Sequence, residues 1–186
     1  MKKEIINEIL KVVCEIWEKN ICQDYSNEIL LNEDTLKCSF YYHLRRKLGK
    51  LINENNLCIF TEFNESEFKK LDYRPDMVIV KKKEKCETSY IINSVEEIIL
   101  AIEFKFKGRY DHDSIYSDRE KIKNYIKHID DDCYYVMAVI QETYNPNPYW
   151  FDNRQANNWA KNRVVELVAS YESEKCDYMI FDTKRY

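Results

Sequence analysis

The stretch ILAIEFKF, residues 99–106, reads as a buried β-strand until Glu103 and Lys105 interrupt its second half. Alternation with a period of two sends Ile102, Phe104 and Phe106 to one face and Glu103, Lys105 and Lys107 to the other. In that register Ile99 and Ala101 share the face of the charged residues, so this face begins apolar and becomes charged only toward its end. A sheet face that is covered at its start and opens into a cleft has this pattern. A plain solvated face also accounts for the charges. The same acid-x-Lys spelling recurs at Glu67-Phe68-Lys69 and Asp182-Thr183-Lys184, so the triplet alone decides nothing.

Upstream lies RPDMVIV, in which the chain's only Pro-Asp, Pro75-Asp76, opens an apolar strand over 76–80. The hairpin between the two strands sets them side by side, which brings Asp76 near Glu103 at one sheet end. Two carboxylates that close repel unless positive charge stands between them. Oxygen ligands of this kind suit Mg2+ or Mn2+.

Working outward, Ile5, Ile6, Ile9, Leu10, Val13, Ile16 and Trp17 recur at helical spacing and predict a first helix over 4–19. A second helix is expected after Asn32, a good N-cap, running through EDTLKCSFYYHLRRKL and stopping at Gly49. LCIFTEF (57–63) reads as a strand, NESEFKKLDY as an acidic turn, KKKEK (81–85) as a solvated turn and SYIINSV (89–95) as a short strand. Ile115, Ile122, Ile126 and Ile129 mark a further helix, and CYYVMAVIQ (133–141) another strand. Pro146 and Pro148 mark a loop with YWF packed beneath it. A helix over 153–171 and a last strand in DYMIFDT complete the pattern. The expectation is a single α/β domain over 1–186, a central mixed β-sheet flanked by α-helices.

Composition bounds the function. The chain has 186 residues, 45% hydrophobic and 33% charged, which is a globular balance. Only two glycines are present, and no glycine-rich phosphate loop or dinucleotide fingerprint occurs. The seven cysteines form no CxxC pair and stand at no zinc spacing from the three histidines, so reduced thiols in a cytoplasmic protein are expected. Glu4 and Glu8 interrupt what would be the apolar core of a secretory signal, and no uncharged run approaches membrane-spanning length. A net charge of −4 disfavours tight non-specific DNA binding, yet carboxylates that assemble a metal site push the total in that direction. Local basic runs, RRK at 45–47, KKKEK and KFKGR at 105–109, are able to guide an anionic substrate or to be ordinary solvated faces.

The spacing RPD-(x)26-EFK resembles the active-site signature of the PD-(D/E)xK nuclease superfamily, and the order of predicted elements over about residues 28–141 resembles its restriction-endonuclease-like fold. The resemblance implies a Mg2+- or Mn2+-dependent phosphodiesterase acting on nucleic acid, with DNA favoured by analogy alone. It implies Asp76 and Glu103 as metal ligands, the Phe104 carbonyl as a further oxygen, and Lys105 as the residue that orients water and stabilises developing charge. Glu33 resembles the family's helical acid, with Glu28 the alternative; an acid in a first helical turn also suits the helix dipole. Lys121, in SDREKIKNY, is the candidate for contacting a phosphate, and Arg74 and Lys107 are further phosphate candidates. Glu62 stands as a fringe acid outside the core set. A homodimer is compatible with double-strand cutting by this fold. The alternative to a nuclease is a catalytically silent member of the fold that serves as a binding or assembly subunit.

Overall fold

The computed structural model describes residues 2–64, 74–84, 90–108, 112–128, 132–152, 154, 156–175 and 178–186. Its helical first third follows from one buried stripe. Helix α1 (Lys2–Glu15) buries Ile6, Ile9, Leu10 and Val13. The chain then continues without a cap through a wider π-helical segment, Ile16–Ile21, into the short helix α2 (Cys22–Ser26). The wide turns bury Ile16, Trp17 and Ile21, and the Trp17 indole N–H donates to the Val168 carbonyl at 3.1 Å.

Helix α3 (Glu33–Glu54) starts on a reciprocal cap. The Thr35 N–H donates to the Asn32 side chain, and the Asn32 N–H donates to the Thr35 hydroxyl, each at 2.9 Å. The expected stop at Gly49 is not found. Leu48 and Ile52 extend the buried stripe of Leu36, Phe40 and Leu44, so burial carries the helix through the glycine. It ends at Asn55, and Asn56 takes the left-handed conformation instead (φ 54°).

Six strands form one sheet in sequence order: β1 (Leu57–Thr61), β2 (Met77–Lys82), β3 (Val95–Lys107), β4 (Tyr134–Tyr144), β5 (Val164–Tyr171) and β6 (Met179–Arg185). The first three pair antiparallel, β3, β4 and β5 run parallel, and β6 returns antiparallel. Helix α4 (His112–His128) makes the crossover from β3 to β4. The predicted Ile129 lies outside the described residues, as does most of the acidic turn, and residues 85–89 of the KKKEK and SYIINSV stretches. Ile91–Ser94 is a 3-10 turn where a strand was expected, because a turn here feeds straight into the long strand β3.

The largest difference lies at 153–171. The expected helix is one π-helical turn (Ala156–Ala160) followed by strand β5. This interior strand is buried on both faces, so its sequence is mostly apolar without a period-two alternation, and its helix-like spacing misled. Residues Lys161 and Asn162, both at positive φ, reverse the chain before β5, with the Arg163 N–H donating to the Ala160 carbonyl at 2.9 Å.

Both sheet faces are covered. Helices α1 and α3 pack on Ile79, Leu100, Ile102, Phe104, Ala138 and Leu167, while α4 and the segment around Trp150 pack on Val78, Val80, Ala101, Met137 and Val139. A bulge in β3 corrects the simple alternation: Ile79 pairs with Leu100 and Val80 with Ile98, so Ile99 is skipped and packs on the α1/α3 side. Ala101 keeps the face expected for it. Cys14, Cys22, Cys38, Cys58 and Cys133 are thiols that form no disulfide among the described residues. No helix among the described residues is long and apolar enough to cross a membrane.

Candidate active site

The pairing of β2 with β3 fixes the acids. Thr61 pairs with Met77 and Met77 with Ile102, so one step further along the strands Glu62, Asp76 and Glu103 stand side by side. The Glu62 N–H donates to the Asp76 carbonyl at 2.9 Å, and the Phe104 N–H donates to the Asp76 carboxylate at 2.8 Å. That second bond anchors Asp76 to the backbone of the residue after Glu103. On the other side of β3 the same row continues through Met137, Glu166 and Lys184.

Around these acids stand three ammonium groups. Lys37, only 8% exposed on α3, lies 3.1 Å from Asp76 and also pairs with Glu62, whose other oxygen meets Arg74 at 2.8 Å. Lys105 lies 2.9 Å from Asp118 and 3.4 Å from Glu33, and donates to the Phe104 carbonyl at 3.3 Å. Lys121 lies 2.7 Å from Asp118 and 3.9 Å from Glu103. Asp118 is buried between the two lysines. Its Oδ2 contact with Lys105 is ionic rather than a directed hydrogen bond, and no donor among the described residues completes it.

The charges are strongly coupled. Burial pushes the Glu103 carboxyl up to about 8, with the negative charges of Asp76 and Asp118 adding to the effect, while Lys121 and a hydrogen bond from the Tyr125 hydroxyl at 2.9 Å pull against it. Burial works against the Lys105 ammonium, but Asp118, Glu33 and Asp76 outweigh it and hold the group above the ordinary lysine range. The same competition raises Lys121, through Glu103 and Asp118, and Lys37, through Glu62 and Asp76.

Of the residues singled out from sequence, Asp76, Glu103, the Phe104 carbonyl, Lys105, Glu33 and Lys121 converge here. Glu33, not Glu28, reaches Lys105; Glu28 sits exposed at φ 58° in the turn before α3. Arg74 is an ion-pair partner of Glu62, and Lys107 lies one step beyond on the strand. Sequence reasoning missed Lys37, Asp118 and Tyr125. Each carried a signal. Asp118, Ile122 and Tyr125 follow Ile115 at spacings of three and four, so a carboxylate interrupts a core stripe; Lys37 stands four residues after Glu33 on the same helix face.

Among the described residues no group of three or more His, Cys, Asp or Glu side chains stands as a ready metal cage. The physical reason is visible in the contacts: ammonium groups are interleaved with the carboxylates, and both Asp76 and the Phe104 carbonyl already accept hydrogen bonds. A further buried acid lies two strands from Glu103. Glu166 accepts from the Trp150 N–H at 2.6 Å and from the Tyr186 hydroxyl at 3.1 Å, and burial pushes it up to about 7.

Compared with known proteins, the chain matches no family model, no curated protein and no solved structure.

Proposed function

We propose that this chain is a metal-dependent nuclease that hydrolyses phosphodiester bonds, with a restriction-endonuclease-like core and DNA as the favoured substrate. The observation that carries the reading is the placement of Asp76 beside Glu103 in register, with Lys105 one step further along the same face. The order of elements supports it: helix α3, an antiparallel β1–β2–β3 unit, the crossover helix α4, then the parallel strand β4. In the sequence these residues stand as RPD-(x)26-EFK.

The donor set fits a hard divalent cation. Its atoms are carboxylate and carbonyl oxygens, and Glu33, Asp76, Glu103 and Asp118 outnumber the ammonium groups of Lys37, Lys105 and Lys121. The Glu103 carboxyl is raised first by its burial and then by the neighbouring charges of Asp76 and Asp118, and a cation beside it would offset these costs. Asp76, Glu103 and the Phe104 carbonyl would hold the ion, with Glu33 at its edge. A bound Mg2+ or Mn2+ supplies a water of lowered pKa and neutralises the phosphate. Lys105 and Lys121 place positive donors where charge builds on the phosphoryl oxygens. Asp118 orients both.

The test is cleavage of labelled single- and double-stranded DNA and of RNA, with Mg2+, Mn2+ or EDTA, by the wild type and by Lys105→Ala. Metal-dependent cutting that disappears in the variant supports the reading. A second reading, a catalytically silent binding or assembly subunit on the same core, is favoured by one observation: each lysine of the cluster is already satisfied by carboxylates. No cleavage of any substrate, and no rise in melting temperature with either metal, would decide for it.

A further inference from the structure

We infer that the cavity at the β4–β6 end of the sheet is a nucleobase-stacking groove, so that the substrate enters with unpaired bases, as a single strand or a frayed end. The inference rests on the nuclease reading above and adds the substrate class. The cavity encloses about 320 Å³, the lower range of small-molecule sites, and is walled by Tyr144, Pro146, Pro148, Tyr149 and Ile180 over a floor of Val168 and Ser170.

Its position follows from the strand pairing. Lys105 pairs across to Val139, Val168 and Asp182, and Lys107 to Gln141, Ser170 and Ile180. Paired residues share a sheet face, so the cavity floor continues the face that carries Lys105, at the same end of the strands. Val168 is two strand spacings from Lys105, about 10 Å at ~4.8 Å per strand. That is roughly three nucleotides at ~3.4 Å per stacked step.

The chemistry of the walls selects a base rather than a phosphate. Among the described residues no basic side chain lines the cavity, and Glu172 and Asp182 do, so a phosphate is repelled there and stays over Lys105 and Lys121. A neutral, planar ring is accepted. Tyr149 is held ready: its hydroxyl donates to Asp182, and the Lys184 ammonium lies 4.8 Å from the ring centroid. Tyr144 keeps 38% of its surface exposed at the rim. Ser170, 6% exposed, adds a hydroxyl-bearing side chain to the cavity lining. Bases inside an intact duplex are stacked on one another and present no face to such a groove, which is why the geometry points to unpaired ones.

The experiment compares a single-stranded oligonucleotide with a blunt duplex of the same sequence for wild type, Tyr149→Ala, Tyr149→Phe and Tyr144→Ala. The readouts are metal-dependent cleavage and the fluorescence of a 2-aminopurine-labelled single strand in EDTA. Stacking predicts preference for the single strand, a rise in KM of about tenfold for Tyr149→Ala with kcat little changed, and near-normal KM for Tyr149→Phe, which keeps the ring without the Asp182 bond. Equal KM in all four proteins, or equal use of blunt duplex by wild type, overturns the groove while leaving the nuclease reading intact. If wild type cuts nothing, the nuclease reading falls alone, and the groove then stands or falls on whether 2-aminopurine quenching is lost in Tyr149→Ala and kept in Tyr149→Phe. Should Tyr149→Ala fail to fold by thermal melting, Tyr144→Ala carries the same comparison.

Discussion

Asp118 holds two lysines at once, with its Oδ1 2.7 Å from Lys121 and its Oδ2 2.9 Å from Lys105. Both lysines come from different elements, β3 and α4, so this one buried carboxylate locks strand to helix and aims two positive charges at the acids. Asp118→Asn removes the counter-charge and leaves two ammonium groups facing each other. A destabilisation of about 3 kcal/mol is expected from breaking a buried ion network on one side. In the nuclease reading kcat falls at least tenfold with KM little changed. Lys105 is held high partly by Asp118, so in the variant it loses its proton at lower pH, and the alkaline fall in activity begins earlier. An unchanged alkaline limb would show that Asp118 only supports the fold.

Glu103→Gln separates stability from activity. The carboxyl is pushed up to about 8 by burial and by Asp76 and Asp118, so the metal-free protein carries it mostly neutral at pH 7 and must charge it above pH 8. A glutamine imitates the neutral acid and accepts from Tyr125 as Glu103 does. The variant is therefore expected to melt at or above the wild-type temperature at pH 9, while Mg2+ no longer raises its melting temperature and cleavage is lost. A variant that melts well below wild type at pH 9 contradicts the charge cost assigned to Glu103.

How much of this was legible in the sequence differs by residue. Asp76, Glu103 and Lys105 were readable because strand pairing and a period of two suffice to bring them together. Lys37 and Asp118 were not, because their partners lie on other elements and only tertiary packing brings them near; what the sequence carried was a charge inside an apolar stripe, a signal with several meanings. Strand β5 was misread for a different reason. A doubly buried strand has no alternation to display, and Ala160, Val164, Leu167, Val168 and Tyr171 fall at helical spacing by accident. The face of Ile99 was lost to a bulge, which a pairing partner reveals and a single strand does not.

Lys37 spans Asp76 and Glu62 from the α3 side. Lys37→Met keeps the length of the stem and deletes the charge. Glu62 keeps Arg74, but Asp76 is left with only the bond from the Phe104 N–H, and the metal-free protein loses about 3 kcal/mol. A divalent cation replaces the missing charge, so the rise in melting temperature on adding Mg2+ is expected to exceed that of wild type. An equal or smaller rise places Lys37 outside the metal's field.

Glu166 predicts a pH dependence that belongs to the fold rather than to the cleavage chemistry. Burial pushes its carboxyl up to about 7 from an ordinary value of 4.5. Between those two values the folded protein binds more protons than the unfolded chain, so stability falls as pH rises from about 4.5 to 7 and levels off above, by at most ~1.4 kcal/mol per pH unit from this group. Glu166→Gln reproduces the protonated acid: its carbonyl accepts from the Trp150 N–H, and its amide donates to the Tyr186 hydroxyl, which itself donates to the Phe151 carbonyl at 3.0 Å. Melting temperatures of wild type and variant, measured from pH 4.5 to 8 in EDTA, are expected to coincide at the acid end and to separate through pH 7, with the variant the more stable. Because Glu103 titrates in both proteins, their difference isolates Glu166. Parallel curves over the whole range would mean that Glu166 is charged in the folded protein and that its hydrogen-bond donors outweigh its burial.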